Sequence, residues 1–157
     1  MNKKLKLAVK NSGLLALNFF KDLPDGNLFI AEARKQVPFD IERVYFINNL
    51  ANQKAIRGKH AHRQLQQGIF CINGSFVLHL DDGDVKQRIL INDPSCGVLL
   101  GPMLWHTMSS FSYDCVILVL ASAPFDEADY IREYEEFCSL ARPNSHPRSQ
   151  QPERARP

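Results

Sequence analysis

From residue 27 to residue 121 the chain alternates short apolar runs, rich in Ile, Val, Leu and Phe, with clusters of turn-forming residues. Each run is short for a helix and is bounded by Gly, Pro, Asn, Asp or Ser, the pattern of an all-β sandwich or barrel. Strands are predicted at 28–33, 41–47, 68–72, 75–80, 85–91, 98–100 and 116–121. Asn73-Gly74 tolerates the positive φ of a tight turn and predicts a hairpin. Asp81-Asp82-Gly83-Asp84 and Asn92-Asp93-Pro94-Ser95 predict two further turns. Past Pro124 the period changes. Tyr130, Ile131, Tyr134, Phe137 and Cys138 recur at helical spacing and predict an amphipathic helix over 125–140, its early acidic residues complementing the helix dipole. Residues 142–157 hold, apart from proline, no apolar residue but Ala155, and are expected to be disordered. The expectation is one domain over 1–141 with a tail over 142–157.

A length of 157 residues fits a single domain with its own core, and 45% hydrophobic with 23% charged residues is the balance of an ordinary soluble globular protein. No apolar run reaches the roughly 18–20 residues that cross a bilayer. The N-terminus is basic, but the apolar stretch 13–20 is short, broken by Asn18 and without a small-residue cleavage site, so a cytoplasmic protein is expected. The formal net charge is +2. Arg142, Arg148, Arg154 and Arg156 against Glu153 place +3 in the tail and leave −1 on the body, which argues against nucleic acid as a partner. Cys71, Cys96, Cys115 and Cys138 form no Cys-x-x-Cys pair and suggest neither a zinc knuckle nor a redox motif.

The candidate chemistry lies in Arg57-Gly58-Lys59-His60-Ala61-His62. Residues two apart on a strand share a face, so His60 and His62 project together while Ala61 faces the other way. Gly101-Pro102-Met103-Leu104-Trp105-His106 supplies a third histidine at a strand start. In metal-binding barrels with this pairing of motifs a Glu follows the first by four or five residues; here those positions are Gln66 and Gln67, and a neutral amide is a weak ligand for a divalent ion. Three histidines can still hold a metal. The favoured alternative is metal-free acid–base work at His60 and His62, since imidazole both accepts and donates protons near neutral pH.

These two histidine motifs resemble the signatures of the cupin superfamily. The wider pattern is similar to the nucleotide-linked 4-keto-6-deoxyhexose 3,4-ketoisomerases, also called WxcM-like cupins. Matching stretches run from Pro38-Phe39 and Ile41-Glu42-Arg43-Val44-Tyr45-Phe46-Ile47, through Arg57 to His62 with Leu65 and Gln67, and Asn73-Gly74-Ser75. They continue through Leu80-Asp81-Asp82-Gly83, Gly101-Pro102 with Trp105-His106, Val119-Leu120-Ala121-Ser122 and Asp126-Glu127-Ala128-Asp129-Tyr130-Ile131-Arg132. The resemblance implies a cupin jelly-roll barrel with a short C-terminal α-helix, working without metal or cofactor as a homodimer that exchanges N-terminal strands. It implies a dTDP-linked 4-keto-6-deoxyglucose converted into a 3-keto isomer on the way to an amino sugar. Two positions depart from the family: Asp25 stands where an arginine is usual, and Phe46 where many relatives have tyrosine.

On that basis one of His60 and His62 is the base and the other orients it or relays the proton. Tyr45, on the same strand face as Arg43, is a candidate oxyanion donor, with a buried core tyrosine as the alternative. Arg43 and Arg57 are candidates for the diphosphate, because guanidinium forks match phosphate oxygens, or else form surface ion pairs. Trp105 is a candidate for stacking on base or sugar, or for closing the barrel. His106 is a candidate substrate contact and Gln67 a candidate holder of a histidine tautomer. The competing functions are a metal-dependent cupin enzyme, a sugar 3,5-epimerase and a non-catalytic sugar-nucleotide-binding barrel.

Overall fold

The structure, a computed structural model, describes residues 6–22, 24–50 and 54–142. β1 (Ser12–Ala16), β2 (Asn18–Asp22), β3 (Gly26–Ile30), β4 (Arg43–Ile47), β5 (Arg57–His62) and β6 (Gln67–Asn73) are followed by β7 (Phe76–Asp81), β8 (Lys86–Ile91), β9 (Cys96–Leu100), β10 (Trp105–Ser109), β11 (Val116–Ala121) and β12 (Tyr130–Ile131). A helix, α1 (Tyr134–Ala141), closes the described chain. Two five-stranded antiparallel sheets, β1-β9-β6-β11-β4 and β12-β5-β10-β7-β8, face each other as a jelly roll, and β2-β3 forms a separate hairpin.

Alternation builds the interior. Ile69, Val98, Ile117 and Val119 point inward from the first sheet and meet Leu78, Leu80, Ile89 and Met108 from the second. Several strands are apolar on both faces because both outer faces are covered. Phe70 and Leu120 pack outward beneath Val37 and Phe39, and Phe137 of α1 is fully buried against Ala61 and Ile131 on the other side. Burying such a phenylalanine contributes about 2–3 kcal/mol.

Three expectations change. Asn73-Gly74 does turn the chain, with Gly74 at φ +72°, but it joins β6 to β7 in opposite sheets and makes no hairpin; the hairpin turn is Asp81–Asp84, between β7 and β8. The helix predicted over 125–140 divides into a 3-10 turn at Glu127–Asp129, the edge strand β12 and α1. Tertiary pairing overrides the local period there: Tyr130 and Ile131 pair with His62 and Ala61, which buries Ile131 completely. The strands β1, β2, β5, β10 and β12 extend the predicted set. The tail beyond residue 142 lies outside the described residues.

Candidate active site

β5 carries the two histidines through an irregularity that aims them. His60 pairs with His106, but the next pair is Gly58 with Thr107, so Lys59 is an extra, bulged residue. The bulge needs positive φ at both Gly58 (+80°) and Lys59 (+61°). A side chain at Gly58 would place its Cβ 2.8 Å from the His106 carbonyl oxygen, so only glycine lets β5 approach β10 this closely. Past the bulge, His60 and His62 face the lumen while Ala61 is buried beneath α1.

The imidazoles stand edge to face, with ring centroids 4.9 Å apart; His106 lies 4.5 Å from His60. Tyr130, brought in by β12, lies 4.3 Å from His62 and 4.9 Å from His60. Burial, reinforced by the neighbouring His62, pushes the His60 imidazole down to about 4. Burial also lowers His62, against the opposing pull of Asp129, and complete burial holds His106 well below the ordinary histidine range. All three rings are therefore neutral at pH 7.

His62 is distinguished from His60 by a carboxylate. Its Nδ1 lies 2.9 Å from Asp129 Oδ2. Asp129 is itself fixed: the Gln64 and Leu65 amides donate to its oxygens at 2.7 and 3.3 Å, and its carbonyl accepts from the Arg63 amide at 2.9 Å. A carboxylate accepts only, so neutral His62 carries its proton on Nδ1 and presents a free lone pair at Nε2.

Opposite, on the first sheet, Gln67 Nε2 donates to the Tyr45 hydroxyl at 2.9 Å, and the Arg43 guanidinium lies 5.5 Å from the Tyr45 ring centroid. Burial raises the Tyr45 pKa, and Tyr130 adds to the rise. A cavity of about 460 Å³ opens here, bounded by Arg43, His62, Leu65, Ser122, Asp129 and Tyr130. Among the described residues the buried side-chain polar atoms without a protein hydrogen-bond partner are Arg43 Nε, His62 Nε2, Gln67 Oε1 and His106 Nδ1. Native interiors pair such groups, and two of these exceptions, Arg43 and His62, border the cavity. No set of three or more His, Cys, Asp or Glu side chains converges in a way that could hold a metal ion among the described residues.

The family model described as FdtA, WxcM-like, C-terminal matches residues 10–142. The chain belongs to this WxcM-like family. It is 45% identical over 122 residues, 77% of this chain and 87% of the relative, to the TDP-4-oxo-6-deoxy-alpha-D-glucose-3,4-oxoisomerase of Aneurinibacillus thermoaerophilus. Among solved structures it resembles QdtA, a sugar 3,4-ketoisomerase from Thermoanaerobacterium thermosaccharolyticum in complex with TDP. That match has 39% identity, 85% of this chain and 96% of that one covered, and a TM-score of 0.82. It likewise resembles WlaRB, the TDP-quinovose 3,4-ketoisomerase of Campylobacter jejuni, at 40% identity, 83% and 98% coverage and a TM-score of 0.78. This WxcM-like protein is an isomerase.

In the WxcM-like barrel the rings of His60, His62 and His106 meet on one sheet, Tyr45, Gln67 and Arg43 cluster on the other, and Arg43 and His62 border the cavity; two expected residues stand apart from both groups. Trp105 points away from the lumen, because it precedes inward-facing His106 on a strand; it packs on Tyr134 and Phe137 of α1 at 5.2 and 5.6 Å. These contacts match the alternative in which Trp105 closes the barrel, and Trp105 also borders a second cavity of about 400 Å³ with His79, Arg88 and Tyr134. Arg57 is exposed at the start of β5, opposite Met108, and has no ion-pair partner among the described residues. Gln67 holds Tyr45; Asp129 fixes the histidine tautomer. Asp129 and Tyr130, which contact the histidines and border the cavity, were not singled out from the sequence: both lie in the quoted Asp126–Arg132 stretch, where a helical period hid them.

Proposed function

We propose that the protein converts a TDP-linked 4-keto-6-deoxyhexose into its 3-keto isomer, with His62 as the base. The clustering of unpartnered buried polar atoms around a carboxylate-oriented imidazole carries this assignment. Moving the ketone requires removal of the C3 proton, stabilisation of an enediolate and protonation of C4. His62 Nε2 faces the chamber with its lone pair free. Asp129 stabilises the imidazolium that forms, and His60, neutral and one ring away, relays or returns the proton. Tyr45 accepts from Gln67 and so keeps its own hydrogen for the developing oxyanion at O4. Arg43, its Nε buried and unpaired, is the guanidinium placed for the diphosphate. His106, buried behind His60, supports that ring from the sheet.

A second copy of the chain completes the assembly in this reading. The β2-β3 hairpin exposes Phe19, Phe20 and Leu28, and β4 exposes Val44 and Phe46, an apolar surface of the kind that marks an interaction site. The four free cysteines fit a reducing compartment, and none of the described helices is long and apolar enough to cross a membrane.

Incubation with TDP-4-keto-6-deoxyglucose in deuterium oxide, followed by NMR, tests the reaction. The expected outcome is a 3-keto product with deuterium at C4 and none at C5, and loss of turnover in His62→Asn. Deuterium at C5 without ketone migration would make the protein an epimerase, and loss of turnover on chelation would make it metal-dependent.

A further inference from the structure

A ketone moves between neighbouring carbons only if four positions trade hydrogen: C3 loses one, C4 gains one, O4 gains a proton and O3 loses one. Two imidazoles serve the carbons and Tyr45 serves O4. O3 has no dedicated group among these residues. A second phenol, Tyr130, packs its ring against both imidazoles.

Tyr130 pairs with His62 in the β12–β5 register, so its side chain enters the same face of the sheet. Its ring is wedged against both imidazoles, at 62° to His62 and 53° to His60. The Arg132 guanidinium covers the ring at 4.3 Å, held by two hydrogen bonds to Glu127 at 2.7 and 2.8 Å, and Phe125 packs beside it at 5.7 Å. The ring borders the cavity together with Arg43 and His62. Tyr130 also bears on the Tyr45 phenol, adding to the rise that burial causes. A purely structural aromatic would not need to sit on both catalytic imidazoles at the cavity wall.

We propose that Tyr130 is a second catalytic phenol, which passes the proton of the substrate's C3 oxygen to Tyr45. The inference rests on the ketoisomerase reading. In the first half-reaction His62 takes the C3 proton, the C3–H electron pair becomes the C3=C4 bond, and the carbonyl pair moves to O4, which takes the Tyr45 proton. An enediol, an imidazolium and a Tyr45 phenolate result. In the second half, the O3 proton moves to the Tyr130 oxygen as the Tyr130 proton moves to the Tyr45 phenolate. The O3–H pair forms the C3 carbonyl, and the C3=C4 pair takes the imidazolium proton at C4. Both phenols and the histidine return to their starting states, and no external oxidant or reductant enters.

Tyr130→Phe keeps the ring contacts and removes only the hydroxyl. Two rates are read in deuterium oxide: conversion to the 3-keto product, and deuterium wash-in at C3 of recovered 4-keto substrate. Conversion is expected to fall about 100-fold, the scale of one lost general acid–base group, while wash-in stays within about threefold of the parent. The ratio of exchange to conversion therefore rises. Conversion within threefold of the parent overturns the inference, and so does a parallel fall of both rates, which would mark a positioning role. If the unaltered protein yields neither conversion nor wash-in, the ketoisomerase reading fails and this inference fails with it. A thermal melt of Tyr130→Phe within a few degrees of the parent shows that the rates report chemistry.

Discussion

Asp129→Asn isolates the tautomer from the shape of the site. The carboxylate takes the Gln64 amide on Oδ1 at 2.7 Å, and His62 Nδ1 with the Leu65 amide on Oδ2 at 2.9 and 3.3 Å. Asparagine keeps one oxygen, and the short Gln64 contact claims it. Its amide nitrogen is then turned toward His62, and a donor there forces Nδ1 to accept and the proton onto Nε2. Loss of the charge-assisted hydrogen bond alone is about 1.5–3 kcal/mol, or roughly 10- to 150-fold in rate. The wrong tautomer also removes the lone pair that takes the C3 proton, so kcat should fall by about 10²–10⁴. KM should change little, because Asp129 reaches substrate only through His62. Steady-state conversion of the TDP-sugar, with a melt to check folding, gives both numbers. The double variant with His62→Asn sharpens the test, since residues that act as a unit do not add. A kcat for Asp129→Asn within threefold of the parent, or a double variant much slower than His62→Asn alone, would refute the dyad.

Four other outcomes follow from the same geometry. With His60 pushed down to about 4 and His62 also lowered, the acid limb of kcat/KM should lie below pH 6.5, and half-maximal activity at 6.5 or above would contradict neutral, buried imidazoles. Depressed folded-state values also mean that the unfolded chain binds more protons between about pH 4 and 6.5. Stability should be complete above 6.5 and fall as pH drops toward 4, by about 3 kcal/mol from His60, measurable by urea unfolding at pH 7 and pH 4.5. Gly58→Ala should cost about 1–3 kcal/mol and reduce kcat, because its Cβ meets the His106 carbonyl at positive φ; a variant with unchanged melting and turnover would show that the bulge does not set the histidines. Trp105→Phe should lower the melting temperature and leave KM unchanged; a tenfold rise in KM at unchanged melting would restore the stacking role.

The barrel was legible because its strands alternate, and the His60–His62 pair because residues two apart share a face. The same rule, applied to neighbours, already gives the orientation of Trp105: if His106 faces inward, Trp105 faces outward. Other features needed the fold. Asp129 lies 67 residues from His62, and no spacing rule joins them. Gln67 is in phase with the lumen, but its partner Tyr45 comes from a strand 22 residues away, separated from it in the sheet by β11. At 125–131, the spacing of Tyr130, Ile131 and Tyr134 satisfies a helix as well as it does a short strand followed by one. The deciding energy is the edge pairing with β5 and the burial of Ile131, which no local window contains. Asp126, expected at a helix start, does cap a turn, accepting from the Ala128 amide at 2.9 Å, but the turn is a single 3-10 one.

The jelly-roll crossing itself explains why this chamber can do acid–base chemistry on adjacent carbons. From β4 to β7 each connection passes to the opposite sheet. Tyr45 on β4 and Gln67 on β6 therefore lie across the lumen from His60 and His62 on β5, although all four fall within 23 consecutive residues. In the proposed reaction, a sugar held between the walls would meet imidazoles on one side and the Gln67-held phenol on the other. Carbon-bound hydrogen then faces the nitrogen bases while the developing oxyanion faces a hydroxyl donor, the geometry in which preorganised groups cost no rearrangement at the moment of reaction. Had β5 and β6 been a hairpin, the histidines and Gln67 would share one wall, and neither a base nor an oxyanion donor could be opposed across a substrate.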